Sequence, residues 1–556
     1  MGIGKSVSLP ELQRHLESIA STVRLSGTPG EAVAFDYVEK QLKSFGYTVN
    51  RYEAEALIGY PIESTLALTA PEAADVHCNG YALTPATPVQ GVEAELIHVG
   101  SSLSLNYDGF DARGKIVVVE GIAIEDAAVA AARAGAVGQI FINPDHIHEM
   151  CISPVWGTPN PETAPMLPSV PAVGIAREDG ERLKRLIAAG PIRARLMTQP
   201  HRAWTKIPTL TADLPGKVED DYVLFSGHID SWHYGAMDNG TANATQVEVA
   251  RLLAERKGDL RRGVRLAFWS GHSHGRYAGS TWYADNFWSD LHERCVCHVN
   301  IDSVGAKGAT ILDGTSSMAS TFGFARSVLG DTVGADLKYH RKGRSSDQSF
   351  WGHGIPALFG ALSLRPGTGD DAGVAEIFGG TSLGWWWHTK EDLIDKIDPE
   401  FFVRDAAIYA ETLWRLCTLE RLPFDAAAEA QEVADAIERY RGLGIDGIDL
   451  AGVASQAAEL STAIRSANLA DQSASNFNTV SKSLNRLLIA VNYTQQGPFH
   501  HDLAVETRPL PGLMQLEQLA KFDRSGDDWH FLRAKLVRER NRIEHAIRSA
   551  ARQLTA

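Results

Sequence analysis

The stretch Tyr222-Val223-Leu224-Phe225-Ser226-Gly227-His228-Ile229-Asp230 begins apolar and closes on an imidazole and a carboxylate two residues apart. The apolar run predicts a buried strand, and polar groups just past such a strand lie where ligands collect in open α/β sheets. Working outward, further apolar strands are predicted at 264–269, 295–301 and 356–364, alternating with helical segments. That alternation predicts an α/β unit with a mixed, largely parallel sheet flanked by helices.

His228, His272, Asp302 and, through a longer loop, His388 follow or sit near strand ends. Asp238 precedes Asn239-Gly240 in a predicted tight turn, from which its carboxylate can bridge two cations while Gly240 lets the next helix begin close by. Asp302 ends an apolar strand, where an unpaired charge is costly without a cation or a donor. His228, Asp238, Asp302 and His388 together supply a nitrogen and oxygen set suited to zinc, or to manganese, iron or cobalt. Asp230 is expected to orient the other ring nitrogen of His228 through its carboxylate.

These motifs, with the turn Asp347-Gln348-Ser349-Phe350 and the segment Gly354-Ile355-Pro356-Ala357, resemble the zinc-dependent aminopeptidase and glutamate carboxypeptidase family that includes the transferrin receptor ectodomain. The resemblance covers nearly the whole chain. It implies a zinc-aminopeptidase-like fold with a protease-associated insert and a helical dimerisation domain. It also implies one metal on His228, Asp238 and Asp302, and a second on Asp238, His388 and a glutamate.

The family's two adjacent glutamates, a general base and a metal ligand, are replaced here by His272-Ser273-His274, bracketed by Trp269, Gly275 and Gly279-Ser280-Thr281. Counting from Trp269 sets His272 at the base and Ser273 at the ligand. Counting from the Gly-Ser side shifts the match towards Ser273 and His274. Three arrangements follow: His272 or His274 completes a second metal position, one of them is the general base, or a single metal on three protein ligands suffices.

Around this core the reading divides the chain into a metallopeptidase-like domain at 1–57 and 203–420, a β-rich protease-associated-like insert at 58–202, and a helical dimerisation-like domain at 421–556. A strand is expected near 47–49, with a change after Pro61 to short strands and Pro/Gly turns, and an alanine-rich helix is expected at 127–136. In the last part Phe477, Val480, Leu484, Leu487 and Val491 share one helical face, and Trp529, Leu532, Leu536, Ile543 and Ile547 another. These helices are expected to pair two copies of the chain.

Lys+Arg 53 against Asp+Glu 68 leaves a net charge of -15, which argues against nucleic acid or an anionic membrane as partner. The 5 scattered cysteines suggest no disulfide framework, and with no apolar signal core or membrane-length run a cytoplasmic protein is expected. Trp386 and Trp387 are candidates for walling a substrate pocket, Arg344 and Arg365 for binding a substrate carboxylate, and His233 for a peripheral contact.

The function expected is a metal-dependent hydrolase of a small amide or peptide-like C–N bond, diverged from zinc aminopeptidases and using metal-activated water. Catalysis would be carried by His272 or His274 with Asp230, and the alternatives are an inactive dimeric binding protein of the transferrin-receptor type or a redox or lyase metal enzyme.

Overall fold

A computed structural model describes residues 2–105, 107–144, 146–312, 315–467, 472–505 and 507–554. Its strands are β1 (Thr48–Ala70), β2 (Ala74–Val76), β3 (Asn79–Gly80), β4 (Val92–Ser101), β5 (Ile116–Glu120), β6 (Gly138–Ile142) and β7 (Ala172–Ile175). They continue as β8 (Arg193–Leu214), β9 (Tyr222–His228), β10 (Gly263–Trp269), β11 (Cys295–Asn300) and β12 (Ala357–Leu358). One sheet runs in the order β12-β11-β9-β10-β8-β4-β5-β6-β7-β3, with β1 beside β8.

Within it β9 is parallel to both β10 and β11, and β11 is parallel to β12, while β8 turns antiparallel against β10. The run predicted at 356–364 leaves the sheet early. Only Ala357–Leu358 pair with β11, because Phe359 takes a left-handed conformation at φ 66° and turns the chain away.

The first strand is long and runs past Pro61, where the sequence reading expected a change to short strands. β1 passes through Pro61 to Ala70, and Pro61 faces Pro200 of β8 where the register slips by one residue before Glu63. Two residues without an N–H oppose each other at an irregularity, so neither interrupts a regular ladder bond. The divisions at 57/58 and 202/203 therefore fall inside two continuous paired strands, at Leu57↔Trp204 and Ile58↔Ala203.

Helices α1 (Leu9–Ile19) and α2 (Pro29–Ser44) cover one face of the sheet through Leu12, Leu16, Phe35 and Val38. In the insert, α3 (Glu125–Arg133) and α4 (Arg177–Ala189) flank β4 to β7, whose core is Ile116, Val118, Ile140, Val173 and Leu183. The alanine-rich helix ends earlier than 136 because Gly135 adopts φ 79°. Next come α5 (Ala242–Glu255), α6 (His272–Gly275), α7 (Ala278–Asn286), α8 (Trp288–Arg294), α9 (Ala319–Val333), α10 (Ala372–Ala375) and α11 (Pro399–Thr418).

The last part packs α12 (Ala426–Gly442), α13 (Ala451–Ser466), α14 (Ala474–Tyr493), α15 (Leu516–Leu519) and α16 (Asp527–Gln553) around Ile437, Leu460, Leu484, Leu488, Leu536 and Ile547. Burial on α14 is wider than the single stripe read from sequence, because Ile489 and Tyr493 also pack on Met318, Trp351 and Ala357 of the sheet unit. Arg486, on the same helix, donates to the carbonyls of Leu291, His292, Gly354 and Cys295. Among the described residues no helix is long and apolar enough to cross a membrane.

Candidate metal centre

The side chains read from the strand ends meet at the carboxyl edge of β9 and β11. His228 donates from Nδ1 to the Asp230 carbonyl at 2.9 Å, which leaves Nε2 as a lone pair facing Asp238 Oδ1 at 3.2 Å and Asp302 Oδ1 at 3.7 Å. His388 repeats the device. Its Nδ1 lies 2.6 Å from the Glu149 carbonyl and its Nε2 3.0 Å from Asp238 Oδ2.

Asp238 thus offers one oxygen to each imidazole. It is held by its own backbone: Asp392 accepts the N–H groups of Met237 and Asp238, each at 2.9 Å. The turn can sit this close because a Cβ on Gly240 would lie 2.9 Å from Leu16 Cδ1 and 3.1 Å from the Gly235 carbonyl. Burial pushes the Asp392 carboxyl up to about 7, against the effect of those two backbone bonds.

His228 Nε2 and Asp238 Oδ1 are both buried, and among the described residues neither has a hydrogen-bond partner. Lone pairs turned on one another in a buried site need a cation between them. Burial lowers the proton affinity of His228, yet the carboxylates of Asp230, Asp238 and Asp302 around it raise it well above the usual imidazole range. The donor set fits a divalent metal: imidazole nitrogen, a bridging carboxylate and a second carboxylate.

The His-Ser-His segment separates its two imidazoles. α6 begins after Gly271, so residues 272 and 274 point to opposite sides of a single turn. His272 stacks on His228 with ring centroids 3.6 Å apart, and its Nδ1 is 2.9 Å from Oδ2 of the buried Asp347. One ligand atom each of His228, His272 and Asp302 lies within 4.8 Å of the others.

His274 instead sits behind the centre, its Nδ1 2.9 Å from Ser26 Oγ and 3.3 Å from Asp230 Oδ2, its ring against Trp232 and Tyr60. The Asp230 carboxylate does not make the bond to His228 expected of it, being 3.6 Å away. It accepts the backbone N–H groups of His272 and Ser273, and thereby orients α6.

A cavity of about 460 Å³ opens over these groups. Asp238, His272, Ser273, Asp302, Trp387, His388 and Arg344 line it, whereas His274, Trp386, Arg365 and His233 do not. Arg365 is turned to Asp371 and the Lys307 carbonyl, with its guanidinium over Trp386. His233 lies 3.4 Å from Glu149 and is 39% exposed. Trp387 stacks on His388 at 3.6 Å.

Sequence reasoning gave no role to Asp347 or Lys342. Lys342 lines the cavity almost fully buried, and burial pulls its ammonium down to about 8 against the attraction of Asp302. The available signal was the alternation Lys342-x-Arg344-x-Ser346 just ahead of the Asp347 turn.

A strand-end histidine and aspartate sharing a bridging carboxylate with a second histidine, on a largely parallel sheet, is a metallopeptidase-type arrangement. Residues 209–413 match Peptidase family M28, and residues 92–183 match the PA domain. The chain carries both: a metal-dependent peptide-hydrolase domain and a protease-associated insert.

Probable glutamate carboxypeptidase VP8 of Zea mays is 24% identical over 78% of this chain and 70% of its own length. Carboxypeptidase Q of Xenopus laevis is 27% identical over 43% of this chain and 52% of its own length. Among solved structures, BSAP, a zinc aminopeptidase from Bacillus subtilis, aligns over 75% of this chain and 98% of its own at TM-score 0.56 and 20% identity.

Proposed function

We propose that this chain hydrolyses an amide or peptide-like C–N bond at a histidine-rich centre in which a His272–Asp347 pair does the proton work of a glutamate base. The observation that carries the reading is the pinning of His228 and His388. Each donates Nδ1 to a backbone carbonyl and turns Nε2 on an opposite oxygen of Asp238.

His228, Asp238 and Asp302 would hold the principal divalent metal, for which zinc is our choice. Asp238 and His388 would hold a second more weakly, since Ser273 supplies no carboxylate. The metal supplies Lewis acidity that polarises a substrate carbonyl and acidifies water. Asp347 accepts from His272 Nδ1, so Nε2 of the same ring is left to take a proton, and the buried carboxylate stabilises the imidazolium that results. Asp230 keeps that ring in place by capping α6.

In the same reading the chain is a cytoplasmic homodimer joined by its C-terminal helices. All 5 cysteines are free, as a reducing compartment favours, and Phe531 on α16 is 69% exposed. A binding protein without turnover is the second reading, favoured by the loss of both carboxylates at residues 272 and 273.

Metal counting on the purified wild type and on His272→Ala, His274→Ala and His388→Ala, paired with an amide-hydrolysis screen, separates the two. The hydrolase reading expects bound metal, activity abolished by a chelator, and metal retained in His272→Ala with activity lost. Protein that takes up no zinc, or that stays inert when zinc-loaded across the screen, favours the binding protein.

A further inference from the structure

The turn between α6 and α7 carries two residues in a row with left-handed backbone, Arg276 at φ 49° and Tyr277 at φ 68°. Neither is a glycine. Other residues reach this conformation only against a steric penalty, and such strain persists where the surroundings hold it. Here the surroundings belong to the insert.

Three contacts cross from the insert to the turn. The Gly157 N–H donates to the Arg276 carbonyl at 2.6 Å, the Arg276 guanidinium pairs with Glu125 at the start of α3, and the Trp156 ring packs on that of Tyr277 at 4.1 Å between centroids. Trp156 is itself pinned, giving its Nε1–H to Ser349 Oγ at 2.9 Å. Burial pushes the Glu125 carboxyl up against the pull of Arg276, and a charge in such a place is costly once its partner is removed. Each member of the pair thus holds the other in the cavity wall, which both of them line.

The turn passes this hold on to an imidazole. Tyr277 and His272 meet edge to face, their rings 4.8 Å apart and 82° from parallel, and the Tyr277 N–H donates to the His272 carbonyl at 3.2 Å. Tyr277 Oη accepts the N–H of Ser346 at 3.2 Å, which fixes the far end of its ring. His272 is therefore bounded by His228 on one face, by Asp347 at Nδ1 and by Tyr277 in the edge contact. The first two constraints come from the sheet unit, and the third is relayed from the insert.

We infer that Glu125 is a positioning residue for the general base, acting through Arg276 and Tyr277 to keep the His272 ring at the angle that proton transfer requires. The insert is then a working part of the catalytic step as well as a wall of the cavity. Glu125 acts on kcat, with metal content and KM set by other residues. This rests on the hydrolase reading above, in which His272 takes the proton.

The test uses the full-length, zinc-loaded protein with leucine p-nitroanilide as the amide. Glu125→Gln keeps the shape of the side chain and removes its charge. It is expected to lower kcat about 10- to 100-fold with KM within about 3-fold and zinc content unchanged, and Glu125→Asp is expected to recover part of the loss. Arg276→Met is expected to lose as much, and the double variant no more than the worse single one, since both changes break one link. Amide hydrogen exchange over residues 272–278, read by mass spectrometry on the same proteins, is expected to run about 10-fold faster in both single variants than in wild type.

Full kcat in Glu125→Gln overturns the inference and leaves the hydrolase standing, as does a loss that falls on KM or on zinc content. If wild type turns over no amide the hydrolase reading fails, and the exchange then decides whether Glu125 holds the turn: faster exchange in the variants supports the relay, and unchanged exchange overturns it. Where circular dichroism shows that Glu125→Gln does not fold, Glu125→Asp carries the same comparison with a smaller loss of kcat expected.

Discussion

The ring of His272 lies on that of His228 at a centroid distance of 3.6 Å, with the two planes 15° from parallel. Stacking fixes the tilt of the His272 ring, and the bond from its Nδ1 to the buried Asp347 fixes the rotation. An imidazole held in both senses meets the geometric demand on a general base better than a freely rotating one.

Asp347→Asn keeps the shape of that contact and removes its charge. It is expected to lower kcat by about 10²–10³-fold with metal content unchanged, measured by steady-state kinetics beside elemental analysis. A variant that keeps full kcat would remove the base from His272.

His274→Ala should separate structure from chemistry. The side chain is fully buried against Trp232 and Tyr60, so its removal is expected to cost about 1–3 kcal/mol in urea unfolding while metal binding survives. Loss of metal in this variant would mean that His274 moves into the centre.

Three buried histidines should each weaken the fold in mild acid, against Asp392 and Glu429, whose carboxyls burial pushes up to about 7 and which act in the opposite sense. Burial holds His15 down at about 4 and His298 and His353 down at about 3. Below the unfolded value of about 6.5 the unfolded chain takes up protons that the folded chain refuses, so stability is complete above that value and falls as pH drops from it towards 4. Each group adds about 1.4 kcal/mol per pH unit across that window. Urea midpoints at pH 7, 6 and 5 in wild type and in His15→Phe check this, and a pH slope that is the same in both contradicts it.

Arg486→Met is expected to loosen α14 from the sheet unit. Four carbonyls lose their donor, at a cost of about 3 kcal/mol or more. Limited proteolysis after residue 420 should then run faster than in wild type, and an unchanged rate would show that Lys482 with Asp221 and the packing of Tyr493 suffice.

The groups that sequence located best are those whose position follows from local pattern. His228 and Asp302 sit where apolar strands stop, and Asp238 sits in a turn marked by Asn-Gly, so local pattern alone sets each backbone position. What was illegible depended on rotation or on distant partners. The opposite directions of His272 and His274 follow from a four-residue helix after a left-handed glycine, and no periodicity can be read in so short an element. Arg365 and Trp386 looked available because the partners Asp371 and Lys307 of the first, and Arg365 over the ring of the second, are set by tertiary packing. Pro61 read as the point where short strands begin because the facing Pro200 lies far along the chain.

The link between residues 148–149 and 387–388 bears on how such a chain is inherited. The Glu149 N–H donates to the His388 carbonyl, the His388 ring donates back to the Glu149 carbonyl, and the His148 ring reaches the Trp387 carbonyl, so a segment of the insert sets the posture of an imidazole in the centre. The insert is thus no interchangeable cassette: a graft from a relative would have to reproduce this one turn to atomic tolerance, or the recipient would lose its second histidine.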